Sequence, residues 1–66
     1  MYYPELRAMM ARKGFTQFSL AKDIGISHVG MSKRMRKEAR FTLDEAKAIK
    51  KILGTEMSID ELFQEE

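Results

Sequence analysis

Four times in this chain an apolar residue is followed directly by serine or threonine: Phe15-Thr16, Ile26-Ser27, Phe41-Thr42 and Met57-Ser58. A hydroxyl at such a position accepts a hydrogen bond from a backbone N–H that the first turn of a helix otherwise leaves without a partner. The apolar residue before it can fold over the fourth helical position, here Leu20, Met31, Ala46 and Leu62. After Thr42 and Ser58 a glutamate stands three residues on (Glu45, Glu61), which completes two capping boxes. Pro4 suits the first turn of one more helix. Gly14, Gly25 and Gly54 stand where helix ends are expected. The pattern predicts helices over 4–13, 16–24, 27–37, 42–53 and 58–64. Connections this short force the helices into one compact body, an all-α single domain over residues 1–66.

The apolar positions follow helical spacing. Leu6, Met9 and Met10 come from the first helix, and Leu20, Ala21 and Ile24 from the second. Met31 and Met35 come from the third, Leu43, Ala46, Ile49, Ile52 and Leu53 from the fourth, and Ile59, Leu62 and Phe63 from the fifth. No stretch alternates as a strand would. The six methionines read as core filling rather than as a sulfur ligand set. With no cysteine and one histidine, His28, thiolate chemistry and multi-histidine metal sites are excluded. There is no phosphate-cradling glycine loop, and 66 residues are few for an enclosed pocket. No enzyme activity, cofactor, metal or small-molecule ligand is expected. No apolar run approaches the length of a membrane span and no signal peptide is visible, so the expectation is a soluble cytoplasmic protein.

Charge is segregated along the chain. Residues 7 to 40 carry nine lysines or arginines against Asp23 and Glu38, whereas residues 41 to 66 carry three lysines against seven carboxylates. A basic half and an acidic half point to a polyanion on one side, although a solvated charged surface is the simpler account.

The stretch "TQFSLAKDIGISHVGMSKRM" holds two short helices with a glycine between them. Ala21 is small enough to let them approach closely, and Ile26 fills the angle between them. The positions Thr16-Gln17, Leu20-Ala21, Gly25-Ile26-Ser27, Met31-Ser32 and Met35 resemble the helix-turn-helix of the phage Cro and repressor family. The tail "FTLDEAKAIKKILGTEMSIDELF" is similar to that family's closing two helices. The resemblance implies a compact five-helix, lambda-repressor-like DNA-binding domain. The implied function is that of a transcriptional regulator in a bacterial host cell, binding double-stranded DNA at operator half-sites. It departs from the pattern in one place: many relatives carry Asn-Gly after the third helix, where this chain has Arg36 and Lys37. The third helix is therefore expected to run on towards Glu38 or Ala39, with Arg34 pairing with Glu38 one turn away.

A recognition helix presents its N-terminal residues to base edges in the major groove. With Met31 and Met35 marking the buried side, the candidates for reading bases from helix 27–37 are His28, Val29, Ser32 and Lys33. Val29 would meet a thymine methyl group, and Lys33 would donate to guanine O6 and N7. Ser32 and His28 can donate or accept. Each role competes with a plainer one: Val29 as a peripheral core residue, Lys33 on a phosphate, His28 as a capping or phosphate-facing group, Ser32 bonded back to its own helix. The resemblance implies that Gln17 holds a phosphate, helped by the positive end of its helix. Ser27, Arg36, Lys37, Arg40 and Lys13 are the other phosphate candidates. Gly30 falls in the first turn of the third helix. Its missing side chain would either let the helix end approach DNA closely or relieve crowding against the second helix.

One helix-turn-helix reads few base pairs, so a homodimer on a two-fold symmetric site is expected, formed before or mainly on DNA. The acidic C-terminal part suits the dimer surface, with Leu62 and Phe63 as candidates and core burial of at least one as the competing reading. A complete protein of this length would be Cro-like; a fragment would equally be a repressor's N-terminal domain. The alternative from another class is a protein-interaction module, such as a helix-turn-helix antitoxin gripping a toxin.

Overall fold

The computed structural model describes residues 2–65. Five helices follow one another: α1 (Pro4–Lys13), α2 (Gln17–Ile24), α3 (His28–Met35), α4 (Leu43–Leu53) and α5 (Ile59–Leu62), with no strand among the described residues. Each expected start is present. The hydroxyls of Thr16, Ser27, Thr42 and Ser58 accept from the backbone N–H of Ser19, Gly30, Glu45 and Glu61 respectively. These four residues are caps, so the helices proper begin one residue later. A third capping box joins the two expected ones: Ser19 Oγ accepts from Thr16 N–H at 2.9 Å. Serine does here what glutamate does after Thr42 and Ser58.

The core gathers Tyr3, Leu6, Met9, Met10, Leu20, Ala21, Met31, Met35, Ile49, Leu53 and Leu62. Phe15, Ile26, Phe41 and Met57, the four residues that precede the caps, pack against it. Two expectations need correction. Tyr3, which spacing did not single out, is 6% exposed and sits edge-on to Phe41 and Phe63, at 5.6 and 6.1 Å between ring centroids. Leu43 is 62% exposed, because as the first residue of α4 it lies beyond the layer closed by Ala46, Ile49 and Leu53. Helix α5 is also shorter than expected. It ends at Leu62, and the Phe63 ring enters the aromatic cluster, 5.1 Å from that of Phe41.

The largest correction concerns the end of the third helix. It does not run on to 37 or beyond. Lys37 adopts a left-handed conformation, φ 64°. Glu38 N–H donates to the Lys33 carbonyl at 2.8 Å and Lys37 N–H to the Arg34 carbonyl at 3.1 Å. These two bonds close a Schellman motif, the ending that a glycine usually makes. Lysine takes the glycine's place because the chain must turn here to bring Phe41 back onto Tyr3. A side chain in that conformation costs about 1–2 kcal/mol. Lys37→Gly should therefore raise stability by about 0.5–1 kcal/mol after loss of an exposed ion pair. Lys37→Ala should give no gain. Urea denaturation of both variants measures the difference, and equal stabilities would refute the strain.

Candidate nucleic-acid interface

Among the helices, α3 has close backbone neighbours only in α2, while α4 packs on α1, α2 and α5. Gly25 makes this possible. At φ 79° it turns the chain sharply, and Ile26 N–H then donates to the Ala21 carbonyl at 3.0 Å, a tight corner between α2 and α3. Met31 and Met35 are fully buried beneath, so the outer side of α3 stays free.

Two arginines tether α3 to the rest of the domain. Arg7, on α1, donates to the Met35 carbonyl at the end of α3 (3.1 Å) and to the Tyr2 carbonyl (2.7 Å). Arg34 does not pair with Glu38. Its guanidinium forms a two-pronged bond to Glu45 (2.9 and 3.2 Å) and donates to the Gly30 carbonyl at 3.0 Å. Glu45 is already fixed as the capping-box acceptor of α4, taking the Thr42 N–H at 3.0 Å, and so offers Arg34 a rigid, half-buried partner. Burial pushes the Glu45 carboxyl up, but the Thr42 N–H and the Arg34 guanidinium together hold it below the ordinary range.

This arrangement also accounts for Gly30. A Cβ there would lie 3.0 Å from Arg34 Nη1 and 3.0 Å from Ser27 Oγ. The space is kept for the Arg34 guanidinium and the cap of α3, and α2 plays no part. Helix propensity alone would reward Gly30→Ala by about 1 kcal/mol. In the native chain most of that gain should be absent, and the part withheld by Arg34 should reappear in an Arg34→Ala background. Equal effects in both backgrounds, by thermal denaturation, would exclude the contact.

The base-reading candidates occupy one helix in different states. Val29 is 66% exposed, and His28 and Lys33 are exposed as well. Ser32 is half-buried, and its Oγ accepts from the Arg36 guanidinium. Arg36 makes its ion pair with Glu38, at 2.9 and 3.2 Å. The pair raises the arginine's pKa and lowers the glutamate's, through the hydrogen bond first and the charge attraction second.

The phosphate candidates divide into two groups. Ser27 and Gln17 stand at the starts of α3 and α2; the Ser27 hydroxyl accepts from Gly30 N–H at 2.9 Å and keeps its own proton to donate. Lys13 is exposed at the end of α1. Arg36, Lys37 and Arg40 follow α3. Lys37 Nζ is turned to the chain ends, paired with Glu65 and 5.6 Å from the Tyr2 ring centroid. Arg40 borders an open groove with Tyr3, Phe41, Leu43, Ile59 and Phe63. Of the two dimer candidates, Leu62 is fully buried and has no surface to offer, whereas Phe63 is half-buried and lines that groove.

One residue of this surface escaped the sequence reading. Phe18, in the first turn of α2, is 60% exposed, and its ring meets that of His28 edge-on at 5.1 Å. The signal was an aromatic residue on the polar side of a short helix. No group of three or more metal-ligating side chains occurs among the described residues, and no helix there is long and apolar enough to cross a membrane.

Two short helices joined by a glycine corner, the second exposed along its outer side, define a helix-turn-helix DNA-binding domain. Residues 5–64 match the family model of the Cro/C1-type helix-turn-helix DNA-binding domain, and the chain belongs to that family. No curated protein and no solved structure matches it significantly.

Proposed function

We propose that this chain is a sequence-specific transcriptional regulator, a Cro-like repressor of a phage or prophage acting in the cytoplasm of its bacterial host. It binds a two-fold symmetric operator as a homodimer, with α3 in the major groove. The observation that carries this reading is that α3 has close backbone neighbours only in α2 and is otherwise held through the Arg7 and Arg34 side chains, which leaves His28, Val29 and Lys33 exposed. In this reading those three residues and Ser32 meet base edges. Gln17, Ser27, Lys13, Arg36, Lys37 and Arg40 hold phosphates and set the register without reading sequence.

Size supports two copies. The longest dimension is 27 Å, short of the roughly 34 Å between half-sites one helical turn apart. Phe63 and the exposed Leu43, which share the groove beside Arg40, are the surface we assign to the dimer contact. Selection of binding sites from a random duplex pool tests the proposal. The expected product is an inverted repeat of short half-sites, with Lys33→Ala relaxing the preference at one base pair per half-site. Absence of affinity for any duplex at low salt would overturn the proposal in favour of a protein-binding module.

A further inference from the structure

Two large apolar side chains stand exposed where α2 and α3 begin: Phe18, 60% exposed, and Val29, 66% exposed. They are not isolated. The Phe18 ring lies 5.1 Å from the His28 ring at an interplanar angle of 80°, and Val29 follows His28 directly. Phe18 and Val29 thus flank His28, one in space and one in sequence, and give the two helix starts that also carry Gln17 and Ser27 an exposed tip with two apolar side chains. An apolar tip has nothing to gain from a phosphate. On the major-groove edge of a duplex the apolar group is the C5-methyl of thymine, and aromatic as well as aliphatic side chains contact it.

We infer that Phe18 is a specificity-determining residue: together with Val29 it reads thymine C5-methyl groups, and its ring fixes the orientation of His28 beside them. The inference rests on the reading of this domain as a DNA reader. It extends the reading surface from α3 onto α2. It also requires thymine at defined positions of each half-site, recognised through the methyl group and not through a hydrogen bond.

The test replaces thymine by uracil, one position at a time, in the duplex obtained by selection. Uracil keeps every hydrogen-bonding group and removes only the methyl. Burial of one methyl corresponds to about fourfold in affinity. Uracil is therefore expected to weaken the native protein by about that factor at one or two thymines per half-site. In Phe18→Ala the penalty should vanish at one of them, and in Phe18→Leu, which keeps an apolar group there, it should persist in part. Because Phe18 is mostly exposed, both variants should unfold at the native temperature, which circular dichroism verifies. If Phe18→Ala weakens every sequence alike and keeps its full sensitivity to uracil, the ring touches sugar or backbone and the inference falls while the DNA-reader proposal stands. If Phe18→Ala binds DNA unchanged, the tip serves another partner and the inference also falls. If the native protein binds no duplex, both fall together.

Discussion

If two copies bind as proposed, raising salt from 50 to 200 mM should weaken binding to the selected duplex by about 10²- to 10⁴-fold. Each phosphate neutralised by a lysine or arginine releases condensed counterions, and the slope of log affinity against log salt is about −0.9 per contact. Lys13, Arg36, Lys37 and Arg40 are the charged candidates in each copy; Gln17 and Ser27 are neutral and add nothing to the slope. The structure indicates why the full count need not be reached. In the free protein Arg36 is held by Glu38 and Lys37 by Glu65, so a phosphate must displace a carboxylate at each. Glu38→Gln releases Arg36, and is expected to tighten binding and to steepen the slope by about one contact per half-site. Fluorescence anisotropy across a salt series measures both quantities. A native slope near zero would remove the phosphate role of the whole set, and an unchanged slope in Glu38→Gln would remove that of Arg36.

Glu45→Ala should cost about 2–3 kcal/mol of folding free energy. Part of it, about 1 kcal/mol, is the capping box of α4. The rest comes from stranding Arg34. With only about a fifth of each side chain exposed, this pair lies between a surface bridge, worth up to about 1 kcal/mol, and a buried one, whose breakage costs about 3–5 kcal/mol. Glu61→Ala provides the control, since Glu61 closes the same kind of box with Ser58 and has no arginine. If the two variants lose equal stability in urea, Arg34 contributes nothing.

Acid should act in the same direction. Glu38, Glu45 and Glu61 all titrate lower in the folded chain than their ordinary values. Their contribution is therefore complete above the unfolded carboxylate range near pH 4.3, and is lost as pH falls through the lower folded values. The melting temperature of the native protein should drop across that window, and less steeply in Glu45→Ala.

These residues show how far the sequence could be read. Thr16, Ser27, Thr42 and Ser58 were legible because a cap is made with an N–H three residues away, whatever the rest of the chain does. Met31 and Met35 marked the buried side of α3 because helical periodicity is equally local. Arg34 was misread for the same reason. The one-turn rule offered Glu38, but Glu45, eleven residues on, was already fixed at the start of α4 and offered two acceptor oxygens. Lys37 was misread because nothing local announces a left-handed lysine; the turn is imposed by Phe41 returning to Tyr3. Phe18 was overlooked because an aromatic side chain in a short amphipathic helix gives no sign that its other neighbour will be His28.

Sequence alone determined the five helices, their caps, the buried stripe of α3 and the family to which the chain belongs, since each depends on residues within about one helical turn or on a pattern of them. Tertiary structure decided where α3 stops, that Arg34 locks it to α4, that Gly30 makes room for that lock, and that Phe18 joins His28 and Val29 at the exposed surface. Those outcomes depend on pairs 10, 11 and 38 residues apart, which meet only when the helices have packed.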